Sequence, residues 1–337
     1  MPYSPRFHIT PHLLKIIEEI SAYKQRIASA TIQVPWIPIL QREARTRTTH
    51  SSTAIEGNPL TLEEVRALEE DRPVPGSSER SRREITNQLA ALRFIEKNQN
   101  KKSIARSDLF QLHKIIASTV MDQGEAGRYR NFGVRVGAYL PPSAKEVSKL
   151  MQDYLEWWNT QAAEWSPVIS SSILHYHFEE IHPFGDGNGR MGRTLALWEL
   201  YRRGFDTHHI FSVDEIYWEN RPRYYAQLDA VGKMSGDLTG WLEYSAEALH
   251  LTLERVLERI DRLATKSSGK ITLTPKQEKL LHLLKNQGSL TPAEVWKTLK
   301  VTKQGAAKIL KPLLDLGLIQ RIGTRKLGKY VGGGLKN

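Results

Sequence analysis

One stretch of this chain can be neither a packed strand nor a comfortable helix: His182-Pro183-Phe184-Gly185-Asp186-Gly187-Asn188-Gly189-Arg190. Its three glycines alternate with polar residues, tolerate positive φ, and let backbone amides converge into an anion-binding nest. Helical patterns flank it on both sides. Before it, Ile169, Ile173, Leu174, Phe178 and Ile181 recur at helical spacing from Val168 to Ile181. After it, Met191, Thr194, Leu195, Trp198 and Tyr201 do the same up to Tyr201. The loop therefore ends at a helix N-terminus, where free N–H groups and the positive dipole end favour an anion. Arg190 and Arg193 lie on the first turn of that helix, a place where cations are disfavoured unless an anion offsets them. Asp186 among amides suits Mg²⁺, which takes few carboxylates and shares its other positions with water and phosphate oxygens. His182 is the one side chain of the stretch that can accept a proton near neutral pH.

Two other readings of these residues are weaker. Gly187 to Gly192 fits G-x-G-x-x-G, but the strand that a dinucleotide fingerprint requires ahead of it is replaced by a helical pattern. His175, Glu179 and His182 fall at i, i+4 and i+7 and could hold a metal. Pro183 ends the helix beside them, and the spacing matches no zinc signature. His175 and His177 are read as structural histidines.

The run HPFGDGNGR followed by Arg193 resembles the complete signature of Fic-domain proteins, which transfer AMP from ATP to a protein hydroxyl. The resemblance implies a helical fold with this loop between two central helices. It implies that His182 is the general base for a target Ser, Thr or Tyr hydroxyl, and that Asp186 holds Mg²⁺. Gly187, Asn188 and Gly189 would cradle the phosphates, with Met191 and Gly192 in the same nucleotide-binding segment. Arg190 would bind the pyrophosphate side, Arg193 the γ-phosphate, and Phe184 would anchor the loop. The resemblance also brings ATP and a protein target as partners, self-modification, and a homodimer as an open option. Transfer of other groups, such as phosphocholine or uridylyl, is known in the family, and the loop does not decide the nucleobase.

Other segments extend the resemblance. Ser52-Thr53-Ala54-Ile55-Glu56-Gly57 is similar to the family's inhibitory motif. Thr48 to Glu56 reads as a helix end, with Gly57 as its cap and Pro59 forbidding continuation. Glu56 then sits at the negative dipole end, unfavourable without a cation; in the family that cation is the second signature arginine, here Arg193. Gly127-Arg128-Tyr129-Arg130 leads into Val134 to Pro142, read as a β-hairpin about Gly137. In the family a flap here holds the target by main-chain pairing. Arg221-Pro222-Arg223-Tyr224-Tyr225 carries a tyrosine pair of the kind family members place near adenine, so Tyr224 or Tyr225 is expected there.

Composition bounds the rest. The 337 residues suffice for two or three domains, and cysteine is absent, so thiolate metal sites and disulfides are excluded. No signal pattern opens the chain and no apolar run reaches membrane-span length, which gives the expectation of a cytoplasmic protein without membrane contact. The net charge of +11 is concentrated at one end: residues 271–337 hold 13 Lys and Arg against three acids, while the rest is nearly balanced. Thr265 to Lys270 reads as a linker. Beyond it, Thr274-Pro275 opens a helix with Leu280, Leu281, Leu283 and Leu284. Thr291-Pro292-Ala293-Glu294 is a capping box for a second helix, and Thr302 caps a third that Pro312 should kink or split. A basic hairpin over 321–331 follows. Together these resemble a winged helix-turn-helix. Against DNA, Thr302, Lys303, Gln304 and Lys308 would face the major groove, and Arg325, Lys326 and Lys329 the phosphates.

The expected fold class is mainly α: a helical N-terminal region with the inhibitory helix (1–100), a Fic-type helical core with a small β-hairpin flap (101–265), and a winged helix-turn-helix (271–333). The expected function is AMP transfer from ATP-Mg to protein hydroxyls, restrained by Glu56. Two rivals stay open: a hydrolase that removes AMP with Glu56 positioning water, and a DNA-binding regulator whose core senses nucleotide.

Overall fold

The structure, a computed structural model, describes residues 3–29, 36–206, 208–266, 274–315, 317–323 and 328–332. The chain forms two compact units: Met1–Ala30 with Gln41–Glu258, and Thr31–Leu40 with Arg259–Asn337. Among the described residues, no helix is long and apolar enough to cross a membrane.

The larger unit is helical. It opens with α1 (Pro11–Ser29) and then takes most of α2 (Ile37–Ile55), whose buried face is built of hydroxyls: Thr46, Thr48, Thr49, Ser51, Ser52 and Thr53. Helix α2 stops where the sequence says it should. Gly57 adopts φ +96, the amides of Glu56 and Asn58 both reach back to the Thr53 carbonyl, and Pro59 follows. Helices α3 (Leu62–Glu69) and α4 (Glu79–Lys97) come next and bury Val65 and Leu89, Leu92 and Ile95. Thr61 caps α3 in a reciprocal box with Glu64, and Ser78 caps α4.

Helices α5 (Arg106–Ala117) and α6 (Ala144–Asn159) lead to the central pair, α7 (Pro167–Ile181) and α8 (Asn188–Arg202), which pack on each other more extensively than any other two helices. Both are buried nearly all round, as helices at the centre of a domain must be. Helix α4 lies against α5 and α8, so the N-terminal helices and the central pair share one unit. Helices α9 (Val213–Glu219), α10 (Arg221–Lys233) and α11 (Thr239–Lys266) complete the series. Helix α11 runs through Thr265 and Lys266, which the sequence assigns to a linker; the other linker residues lie outside the described residues.

The expected flap hairpin is smaller than its sequence suggests. Val136 and Tyr139 exchange both backbone hydrogen bonds, at 3.0 and 2.9 Å, about a two-residue turn with Gly137 at φ +57, and no ladder continues from it. Pro141 and Pro142 explain the stop, because neither has an N–H to donate.

The smaller unit holds α12 (Pro275–Gln287), β1 (Ser289–Leu290), α13 (Pro292–Leu299), α14 (Lys303–Asp315), β2 (Ile319–Ile322) and β3 (Lys329–Gly332), with an antiparallel sheet in the order β1-β3-β2. Leu280, Leu284, Val295, Leu299, Leu310, Leu313 and Ile319 form its core. Pro312 does not split α14. It falls in the last turn, where one missing N–H and one displaced carbonyl disturb little. Of the residues expected on a wing, Lys329 is exposed on β3, while Arg325 and Lys326 lie outside the described residues.

Candidate active site

His182 closes α7 in the left-handed conformation, φ 49 and ψ 59, with its amide donating to the Phe178 carbonyl at 2.9 Å. The turn points the chain away from the helix and starts the glycine loop. Phe184 is wholly buried and stacks flat on His113, ring centroids 3.6 Å apart. His113 Nδ1 accepts the Gly127 amide at 2.8 Å, so its Nε2–H is left to donate to the Asp186 carbonyl at 2.9 Å. The Asn188 side chain clips the loop as well: Oδ1 accepts from the Phe184 amide at 2.9 Å, and Nδ2 donates to its carbonyl at 3.0 Å. The Asn188 side chain is thus committed to loop shape, which leaves its backbone amide for a ligand. Gly187, at φ +76, starts α8.

The first amides of α8, from Asn188 to Arg190, have no carbonyl four residues back to bond. Behind them Arg190 is buried, and its Nε and Nη1 have no partner among the described residues. Its Nη2 lies 3.7 Å from Asp186 Oδ1. A guanidinium buried with empty donors calls for an anion. Asp186 stays partly exposed, with Oδ1 bonded to the Gly187 amide. No cluster of three acidic or histidine ligands occurs among the described residues. A single hard carboxylate beside unfilled phosphate donors fits an ion that draws its other oxygens from a nucleotide.

Arg193 is held differently. Its Nη2 donates to Glu56 Oε1 and to the Ser52 carbonyl, both at 2.8 Å, its Nε to Ser52 Oγ at 3.0 Å, and its Nη1 to the Tyr224 hydroxyl at 3.3 Å. Asp214 stands 3.8 Å away. Gly189 lies directly beneath the Glu56 carboxylate; a Cβ there would clash with Oε1.

Burial sets the protonation states. It pushes His182 down to about 4, so the imidazole is neutral at pH 7 and free to take a proton. It pushes Glu179 up to about 8, opposed by Arg193 and helped by Glu56. Glu179 Oε2 is 3.7 Å from His182 Nδ1, and a Cβ on Gly192 would come within 2.6 Å of Glu179 Oε1.

Thus His182, Asp186, Gly187, Asn188, Gly189 and Arg190 share one loop and helix start, and Glu56 meets Arg193 across the fold. Met191 and Gly192 belong to the core side: the Met191 amide is already bonded to the Gly187 carbonyl at 3.0 Å and its side chain is buried. Tyr224 is buried between His175 and Arg193 and shows no free ring face, whereas Tyr225 is exposed and donates to the Ile55 carbonyl at 3.3 Å. Of the two tyrosines, only Tyr225 offers a face to a base. Ser52, His113, Arg130, Glu179 and Asp214 carry contacts that sequence reasoning missed. An unexplained His on the apolar face of Leu109, Leu112 and Ile116 was the one signal available for His113.

Residues 103–200 match the Fic/DOC family. This chain is a Fic-domain protein. It is 32% identical over 248 residues to protein adenylyltransferase fic-1 of Caenorhabditis elegans, covering 72% of this chain and 47% of that protein. It is 30% identical over 254 residues to protein adenylyltransferase Fic of Aedes aegypti, covering 74% and 49%. The chain thus spans about half the length of these curated relatives. A crystal structure of a Fic family protein from Desulfovibrio desulfuricans G20 superposes with a TM-score of 0.68 at 28% identity, over 99% of this chain and 100% of the other. The Fic segment includes α5, α6, α7 and nearly all of α8, and with them His182, Asp186 and both arginines.

Proposed function

We propose that this Fic-domain protein transfers AMP from Mg·ATP to a Ser, Thr or Tyr hydroxyl of a protein, itself included, and that Glu56 restrains the transfer. The observation that carries the reading is the placement of His182 beside the open end of α8, where buried Arg190 has two donors, Nε and Nη1, without a partner among the described residues.

Neutral His182 takes the proton as the target oxygen forms its bond to the α-phosphorus and the bond to pyrophosphate breaks. The open amides of α8 and the free nitrogens of Arg190 hold the phosphate oxygens, so the protein's part is positioning and charge neutralisation. Mg²⁺, held by Asp186 and the nucleotide, would neutralise charge on the phosphates. Arg193 would meet the γ-phosphate once Glu56 leaves it. The Val136–Tyr139 turn would take the target's backbone. Exposed Tyr225 suits the adenine.

Intact-mass measurement of Glu56→Gly protein, after incubation with each nucleoside triphosphate and Mg²⁺, tests this. The AMP increment is expected with ATP alone, and none with His182→Ala. An unchanged mass, with and without an added protein target, would defeat the proposal. Loss of hydrolysis of a pre-modified target in Glu56→Gly would instead support the reverse reaction.

For the smaller unit, we propose a winged helix-turn-helix that meets duplex DNA through Lys303, Gln304, Lys308 and Lys329, all exposed. Affinity that falls steeply with salt is expected; affinity indifferent to salt would rule out phosphate contacts.

A further inference from the structure

Arg130 is 4% exposed, yet no carboxylate bonds its guanidinium. Every acceptor is a backbone carbonyl. Nε donates to His182 O at 2.8 Å and Nη1 to Phe132 O at 3.0 Å. Nη2 donates to Pro142 O at 2.6 Å and to Ile181 O at 3.3 Å. The Arg130 amide adds a bond to Pro183 O at 2.9 Å.

These carbonyls fall into two groups. Ile181, His182 and Pro183 are the end of α7 and the turn that aims the base. Their carbonyls mark the negative end of the α7 dipole, where a cation is favoured. Phe132 and Pro142 are the two roots of the segment carrying the Val136–Tyr139 turn. A planar fork with donors on three edges can bond both groups at once, whereas an ammonium on a single stem cannot. His182 holds a left-handed backbone that is uncommon for a non-glycine residue, and Arg130 bonds the carbonyls before and after its α-carbon as well as the next one along. The same positive charge disfavours protonation of His182. A second link runs in parallel: the Tyr139 hydroxyl donates to the Glu180 carbonyl at 2.9 Å.

We propose that Arg130 is a positioning residue that fixes the target-holding turn relative to His182, so that a hydroxyl held on the flap meets the base. It touches neither nucleotide nor target. The proposal rests on the AMP-transfer reading, and its test separates the two. In the Glu56→Gly background, Arg130→Lys is expected to lower the transfer rate about 100-fold, the scale of a small misplacement of reacting groups, with Kd for Mg·ATP changed no more than about twofold. In Arg130→Ala, added ethylguanidinium should recover part of the lost rate. Amide exchange supplies a readout free of activity: in Arg130→Lys the amides of Val136, Tyr139 and His182 should exchange faster, with the rest of α8 unchanged. Transfer by the Lys variant at the parent rate would overturn the proposal. So would loss of ATP affinity in step with transfer, absence of guanidinium rescue, or unchanged exchange at those three amides. A Glu56→Gly parent that transfers nothing would sink the AMP-transfer reading instead, and the exchange result would still decide the role of Arg130.

Discussion

Replacing Glu56 by glycine is the perturbation whose size the structure constrains best. The Glu56–Arg193 contact is a charge-assisted hydrogen bond of 2.8 Å, with the arginine side chain 1% exposed and the glutamate side chain 36% exposed. Such a bond is worth about 1.5–3 kcal/mol, and the open side of the carboxylate discounts it for solvent screening to about 1–2 kcal/mol. If this contact must break before a γ-phosphate reaches Arg193, the competent state is held down by the same amount. Removing it should then raise AMP transfer by about 5- to 30-fold. The gain should not be offset by collapse of the site, because Ser52 and Tyr224 still hold the guanidinium. The assay is the initial rate of label incorporation from α-labelled ATP at saturating Mg²⁺, with His182→Ala as the blank. Glu56→Gln, which retains an acceptor but loses the charge, should fall between wild type and Glu56→Gly. Rates for Glu56→Gly within about twofold of wild type, while His182→Ala is inactive, would refute the restraint and leave the catalytic assignment standing.

Further outcomes follow from burial and close contact. With His182 pushed down to about 4, transfer by Glu56→Gly should persist well below the pH at which an ordinary histidine protonates; an acid limb centred near 6.5 would contradict this. Glu179, raised from 4.5 to about 8, leaves stability intact below its unfolded value and erodes it as pH climbs towards 8. Glu179→Gln should therefore stabilise the fold by about 2–3 kcal/mol near pH 7 and by almost nothing near pH 4, and equal denaturation midpoint shifts at both pH values would refute this. Gly192→Ala places a methyl 2.6 Å from Glu179 Oε1 and should cost about 1–3 kcal/mol of stability, read by urea unfolding.

What was legible in the sequence was local. Periodicity located α7 and α8, and Gly57 and Pro59 located the end of α2, because those signals lie within a few residues of what they govern. The Thr291–Glu294 capping box was legible for the same reason, and it forms with both reciprocal bonds. The flap was overread: its β-prone runs are short, and the prolines that cut the ladder belong to the same segment. The clip that the Asn188 side chain makes on the Phe184 backbone was not legible, because the residue enters the sequence reading only as part of the phosphate cradle. The bonds of Arg130 left no signal, since its side-chain acceptors are carbonyls up to 52 positions away and carbonyls leave no trace in side-chain pattern. Ser52 was quoted within a motif, yet its two bonds to Arg193 span 141 positions and depend on how α2 crosses α8.

The arrangement around Arg193 also bears on how Glu56 could cover that guanidinium without displacing it. Four contacts besides Glu56 surround the guanidinium: the Ser52 carbonyl and hydroxyl, the Tyr224 hydroxyl, and Asp214 across a longer gap. They fix its position from the protein side, so departure of Glu56 exposes a pre-aimed donor instead of a mobile side chain. Glu179 does not compete for that vacancy. Burial raises its affinity for a proton until it is chiefly neutral at pH 7, and a neutral acid offers Arg193 little. Glu56, just past the end of α2, is the acid that bonds the guanidinium, and α2 is tied to the rest of its unit by several side chains, among them Arg47 to Glu215 at 2.6 Å, with Tyr225 bonding the Ile55 carbonyl. Because Ser52, one turn earlier on α2, holds Arg193 through its hydroxyl and its carbonyl, a change that frees the guanidinium of Glu56 alone has to act beyond Ser52, at the last turn of that helix.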